Sequence, residues 1–375
     1  MTTKVAFPVL GELSLVAEKF LRILGVDLIT PPPISRRTLD VGLQNTPEAL
    51  CIPCKLLFGN YLEAAELGAT DIVMIGGPNT CRLGYTVAQH VDQLKKKGYY
   101  IRPHPFDIGR AGPEIVRLTR EFLPLKPVYE LVKPLRYIID IFNLVDEARQ
   151  LTYYIRPREL ERGASDRVYA ATLEAIIGFR DKQQILDRRD ELLARIWNIK
   201  QDPDRSTLRI GVVGDVYTIL TPYLNHRLDI ELGRMGVEVW SGYRFDIEYA
   251  SLLPFILRQD RRAKVVRAGN IYLERNVGGF ARSTIGEATV MANEQVDGLI
   301  HVSPFNCTPE MVAHSALVKL QQEKGMPVLS LTFDEQTGRA GMMTRLEAFV
   351  DMLWSARQKK QKQPGTNRIP WLKSA

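Results

Sequence analysis

Apolar positions along both ends of the chain switch repeatedly between short continuous runs and helical spacing. Lys4–Leu10 (KVAFPVL) reads as a buried strand, and residues 12–24 carry an amphipathic helical pattern that stops at Gly25. Val26–Thr30 predicts a second strand, ended by Pro31-Pro32-Pro33. Ser35 is placed to cap a short helix around Arg36–Leu43. Pro53 opens a helix to about Leu67, where its missing N–H costs nothing, and Gly68 closes it. Strand Asp71–Ile75, a glycine-rich loop over Gly76–Arg82, helix Thr86–Lys97 and strand Tyr99–Pro103 follow. Strands alternating with helices predict parallel pairing in an α/β layer architecture.

From about Gly112 to Asp204 the strand signal fades. Pro127–Tyr154 and Asp166–Trp197 place Leu, Ile, Arg and Glu at helical spacing, which predicts a helical insert with an arginine-rich solvated face. The α/β rhythm restarts at Leu208. Strand Arg209–Val213, helix Pro222–Met235 and strand Val237–Trp240 lead to helix Ile285–Asn293 and strand Gly298–Val302. Helix Pro309–Lys324, strand Pro327–Thr332 and helix Met342–Trp354 complete the series. The expected organisation is two Rossmann-like α/β domains, 1–110 and 206–357, joined by a helical region over 111–205 and followed by a disordered tail over 358–375. The two α/β parts read as a divergent repeat: the eleven-residue stretch from Asp71 to Cys81 aligns without a gap on Asp297 to Cys307.

Composition changes this picture little. The 375 residues are 45% hydrophobic and 25% charged, ordinary for a soluble globular chain. No apolar run reaches the roughly 20 residues that span a bilayer, and no signal-like segment opens the sequence, so the expected setting is cytoplasmic with no membrane partner. Of the net charge of +7, six positive charges follow Met352 with no acid among them (Arg357, Lys359, Lys360, Lys362, Arg368, Lys373). That distribution reads as a solvated tail rather than a nucleic-acid arm.

The chemistry lies in four cysteines: Cys51, Cys54, Cys81 and Cys307. In a reducing compartment, a CxxC with two further thiols points to metal or redox chemistry rather than disulfides. Cys51 and Cys54 sit at a predicted helix start, and Cys307 precedes another, with Thr308 as its expected N-cap. Cys81 follows Gly76-Gly77-Pro78. Helix dipoles and free amides at such places favour thiolate and a negatively charged cluster. Both Cys81 and Cys307 fall beyond carboxyl ends of strands, where open α/β sheets bind ligands. An iron–sulfur cluster between the domains, a structural zinc ion and unliganded buried thiols are all compatible with these residues.

Other motifs are weak. Gly211-Val-Val-Gly214 lacks the dinucleotide fingerprint, no GxxxxGK[ST] phosphate loop occurs, and His90, His104, His226, His301 and His314 have no ligand spacing. Asp334, Glu335 and Glu287 are expected as caps or surface residues.

The stretches TLDVGLQNTPEALCIPCKLLFGNYLEAAELGATDIVMIGGPNTCRLGY, GVVGDVYTILTPYLNHRLDIELGRMGVEV, and HVSPFNCTPEMVAHSALVKLQQEKGMPVLSLTFDEQTGRAGMMTRLEAFVDML resemble the CoA protein activase family. That group is similar to subunits of 2-hydroxyacyl-CoA dehydratases and benzoyl-CoA-reductase-type enzymes, and to double-cubane cluster proteins. The resemblance implies two Rossmann-like domains with a cluster between them, paired subunits, and an ATP-hydrolysing activase partner that supplies low-potential electrons. It places Cys51, Cys81 and Cys307 at ligand positions, whereas relatives often carry an apolar residue at the position of Cys54. Four cysteines are too few for a double cubane within one chain. The resulting expectation is one 4Fe–4S cluster on Cys51, Cys54, Cys81 and Cys307 in the interdomain cleft of a homodimer or a paralogous pair. Three functions follow: an electron-transfer or reductase component served by the activase, a 2-hydroxyacyl-CoA dehydratase subunit, or a cluster scaffold without turnover.

Overall fold

A computed structural model describes residues 3–78, 80–107, 110–124, 127–241, 260–275, 277–294 and 296–362. The first α/β half runs β1 (Val5–Ala6), α1 (Glu12–Leu24), β2 (Leu28–Ile29), α2 (Arg36–Asn45) and α3 (Ile52–Glu66). It continues through β3 (Asp71–Ile75), α4 (Thr86–Lys96) and β4 (Arg102–Phe106). Its four parallel strands are ordered β2-β1-β3-β4, with Val5 opposite Leu28 on one side and Asp71 on the other. The second half has β5 (Leu208–Gly214), β6 (Val237–Ser241), β7 (Gly298–Pro304) and β8 (Val328–Phe333) in the equivalent order β6-β5-β7-β8, all parallel. Thus β3 and β7, whose loops carry Cys81 and Cys307, hold the same place in their sheets, as the repeat predicts.

Several boundaries depart from the sequence reading. β1 spans Val5–Ala6 rather than Lys4–Leu10; Pro8, without an N–H, cannot extend a central strand. The expected helix Pro222–Met235 is broken into Pro222–Asn225 and Leu228–Arg234, because His226 and Arg227 between them adopt φ of 53° and 57°. The last helix, Arg339–Lys362, carries five residues expected in the disordered tail. Residues 363–375 lie outside the described residues. Helix Thr308–Lys324 is capped by Cys307 itself, not Thr308. The expected cap at Ser35 is present, with its side chain accepting from the Thr38 N–H, and the structure adds the reciprocal bond from the Ser35 N–H to the Thr38 hydroxyl.

The regular structure described within residues 111–197 is helical: α5 (Ala111–Phe122), α6 (Val132–Ile155), α7 (Ala164–Gly178) and α8 (Lys182–Trp197), with short 3-10 turns. Helix α6 packs on α1 in the first half and on β6 in the second, so it ties the two together. One main hydrophobic core runs through both halves and this middle, from Phe58 and Tyr61 through Ile141 to Leu208 and Leu346. No described helix is long and apolar enough to cross a membrane.

Helix α3 is buried along its whole length from Ile52 to Ala65, consistent with its apolar residues on every face. Its polar side chains are therefore partnered. Asn60 Oδ1 accepts the Val9 N–H at 2.8 Å, Glu63 accepts the Thr38 hydroxyl at 3.0 Å, and Lys55 Nζ reaches Glu335 of the second half at 3.1 Å. Glu335, expected at the surface, thus helps join the halves. Asp334 does act as a local cap, accepting from Thr337 Oγ1 at 2.7 Å, whereas Glu287 is buried rather than superficial.

Candidate functional site

Cys51, Cys81 and Cys307 line one cavity of about 180 Å³ where the halves meet. Each is the residue that caps a helical turn: Cys51 before α3, Cys81 before the 3-10 turn Arg82–Tyr85, and Cys307 before helix Thr308–Lys324. The first and third share a local design, Cys-x-Pro. The cysteine is extended, with φ/ψ of −64°/152° at Cys51 and −78°/102° at Cys307, and the proline fixes the first turn after it. Asn306, at φ 59°, supplies the reversal that presents Cys307; asparagine is among the few side chains that tolerate this left-handed region.

Cys54 is directed elsewhere. One helical turn beyond Cys51, its Sγ lies 3.3 Å from His90 Nε2 on α4, and it does not border the cavity. His90 is enclosed by the rings of Phe58 and Tyr61. The structure therefore brings three of the four predicted residues together and turns the fourth into the core. Burial pushes the His90 imidazole down to about 4, so it is neutral when folded. The unfolded chain takes up that proton below its ordinary value near 6.5. Stability from this group is present above that value and is lost as pH falls from 6.5 toward 4. We expect a loss of up to about 3 kcal/mol, read by chemical denaturation at pH 7 and 4.5. His90→Phe should flatten that part of the profile, and an unchanged slope would refute the assignment.

The cavity's remaining polar groups are few. Asp215, at the end of β5, borders it and is otherwise enclosed by protein; its Oδ2 accepts from Thr218 N at 2.8 Å and Thr218 Oγ1 at 2.7 Å. Burial pushes Asp215 up to about 6 despite those two hydrogen bonds. Glu310 lies beside it, held by His301 Nε2 at 2.9 Å and Thr284 Oγ1 at 3.1 Å.

Burial also governs the thiols. It pushes Cys51 up to about 12, Cys54 up to about 11, and Cys81 and Cys307 upward as well. The Cys54 amide draws Cys51 the other way without closing a capping hydrogen bond, and the Glu310 amide acts similarly on Cys307. The expectation that helix starts alone favour thiolate is thus corrected: desolvation outweighs the dipole, and ionising these sulfurs calls for a cation's field. Among the described residues, no three His, Cys, Asp or Glu side chains converge tightly enough to hold a single metal ion. The thiols are arrayed about a volume rather than a point.

Two parts of the site escaped the sequence reading. The exposed Arg82, next to Cys81, donates to the carbonyl of Ala49 at 3.0 Å and to that of Asn306 at 2.6 Å. One guanidinium thereby clasps all three cysteine loops. In the second half, the positions equivalent to Cys51 through Cys54 are Val277-Gly278-Gly279-Phe280, and Gly279 and Phe280 line the cavity. A Cβ on Gly279, which has φ of 56°, would lie 2.8 Å from Pro309 and 3.6 Å from Cys81 Cβ. Gly279 is the equivalent of Pro53, while Val277 and Phe280 stand where the first half has Cys51 and Cys54. Neither signal is visible in sequence, because Arg82 resembles any surface arginine and the glycine pair any turn.

Two parallel α/β halves thus bring three thiols, from the loops at their strands' carboxyl ends, to one cavity. Residues 288–353 match the family model of the 2-hydroxyglutaryl-CoA dehydratase D-component. The matched stretch includes Cys307, β7, β8 and the helix between them. A search of curated proteins finds no match to the chain.

Proposed function

We propose that this chain is a subunit of a 2-hydroxyacyl-CoA dehydratase-type system and holds one 4Fe–4S cluster on Cys51, Cys81 and Cys307. The observation that carries this reading is the convergence of three thiols, from both halves, on one cavity while Cys54 is engaged with His90. The donor set fits the group: three soft sulfur ligands spread about a volume, in a largely apolar cavity. Such a cluster supplies Lewis-acid and one-electron chemistry when bound. The chain's own residues hold it, with Arg82 fixing the three loops and Asp215 providing a carboxyl group at the cavity wall.

Of the three functions expected from the sequence, this reading takes the dehydratase subunit over the electron-transfer component, the first of those expectations. Electron transfer asks for four protein ligands and no room for substrate, whereas three thiols leave a position open. The family match over 288–353 favours the same choice. An ATP-hydrolysing activase and a second subunit belong to the proposal, since the sequence has no phosphate loop of its own.

The test is anaerobic reconstitution with iron and sulfide, followed by electron paramagnetic resonance of the reduced protein. We expect about four irons per chain and a spectrum that changes on adding a 2-hydroxyacyl-CoA. A cluster whose spectrum ignores every acyl-CoA, yet turns over electrons from the activase, would restore the electron-transfer reading. Sedimentation showing only a 42.5 kDa species, alone and with candidate subunits, would remove the pairing.

A further inference from the structure

The cavity does not end at the thiols. It continues along one face of the first sheet, beneath α1 and α5, as far as Leu24, Val26 and Phe122. Strand direction gives this path its polarity. Cys81 follows the carboxyl end of β3, whereas α1 and α5 run back against the strands, so Leu24 and Phe122 in their last turns mark the opposite edge. Leu13 and Leu24, both on the wall, are about 17 Å apart along the α1 axis. A volume of about 180 Å³ drawn out over such a length is a slender channel.

The core is divided accordingly. Val5, Leu28, Val73 and Leu118 form a small cluster of their own instead of joining the main one. Protein interiors ordinarily close such gaps, because unfilled walls lose their dispersion contacts. Polarity is equally uneven along the path. Asp215 and Glu310 stand at the thiol end, and among the described residues the lining contains no Lys, Arg or His. Thr119, farther in, already donates its hydroxyl to the Ile115 carbonyl at 2.8 Å.

Resting on the acyl-CoA reading above, we infer that this channel receives the acyl chain of the substrate, and that the chain is aliphatic with no second carboxylate. A dicarboxylic acyl group would bury its distal charge with no cation among the described lining residues, in a tube whose polar end is itself acidic. The substrate class thus differs from the glutaryl group named in the matched family.

Isothermal titration calorimetry on the full, cluster-loaded chain under anaerobic conditions tests this. The probes are 2-hydroxybutanoyl-, 2-hydroxyhexanoyl- and 2-hydroxyoctanoyl-CoA, with 2-hydroxyglutaryl-CoA as the contrast. Each added methylene should tighten binding about fourfold, and the glutaryl thioester should bind at least about tenfold more weakly than the hexanoyl one. Leu118→Trp should abolish the gain with length while iron and sulfide per chain stay unchanged. Phe122→Ala, which opens the far end, should extend the gain to longer chains and serves if the tryptophan variant does not fold. Affinity independent of length, or a glutaryl thioester that binds best, overturns the channel assignment and leaves the site reading standing. No binding of any thioester overturns the acyl-CoA reading, and this inference with it.

Discussion

Cys81→Ala is expected to leave the chain folded and to bring reconstituted iron and acid-labile sulfide close to zero. Cys81 contributes a half-buried thiol at the head of a short turn, so its removal costs folding little, on the order of 1 kcal/mol. The same change removes one of the three proposed ligands, and the two sulfurs that remain, one from each half, are too few to retain a cluster. Cys51→Ala should behave alike. Cys307→Ala should lose the cluster without disturbing the first half, because it is the single thiol drawn from the second. Cys54→Ala is the discriminating variant: with its sulfur against His90, metal content should stay near the wild-type value. Iron and sulfide analysis with an anaerobic optical spectrum reads all four. Equal loss in Cys54→Ala would return the fourth thiol to the ligand set, and an unchanged spectrum in Cys307→Ala would end the two-half site.

Gly59→Ala should destabilise the protein by roughly 3 kcal/mol or more. An ideal Cβ at this position would stand 2.0 Å from the Thr38 carbonyl oxygen and 3.0 Å from Thr38 Cγ2. Neither can withdraw, since Thr38 is fully buried and its hydroxyl is held by Glu63. Gly42 makes the reverse approach, with the Lys55 carbonyl 2.1 Å from its ideal Cβ. α2 and α3 are thus in backbone contact, and separating them would move the helix whose first turn presents Cys51. Denaturant unfolding measures the effect. Gly178→Ala, where a new methyl meets nothing within 4 Å, is the control and should be close to neutral. A Gly59→Ala midpoint matching that control would refute the close-packing account.

The α/β halves were legible because buried parallel strands are short apolar runs, and because Ser35, Pro53 and Gly25 are local signals that tertiary contacts did not override. The site was legible in part for the same reason: strand ends and helix starts follow from pattern, and the cysteines lie on them. What pattern could not supply was direction. Cys51 and Cys54 are three residues apart, but one is an extended cap that borders the cavity and the other already lies on the helix with its sulfur against His90. His226 and Arg227 broke an expected helix because no periodicity encodes a left-handed pair of non-glycine residues. The Lys55–Glu335 contact joins positions 280 residues apart, a distance at which sequence spacing carries no information.

The clasp made by Arg82 has a consequence for the order in which the protein is made. A nascent chain that has emerged through β4 carries Cys51 and Cys81 but neither the Asn306 carbonyl nor Cys307. Its Arg82 then has only one of its two loops to hold, and the cavity lacks its far wall. Metal offered at that stage meets an incomplete chelate. If the chain holds the proposed cluster, maturation therefore follows synthesis of the second half, and the finished fold, rather than the growing polypeptide, is the acceptor for iron and sulfide.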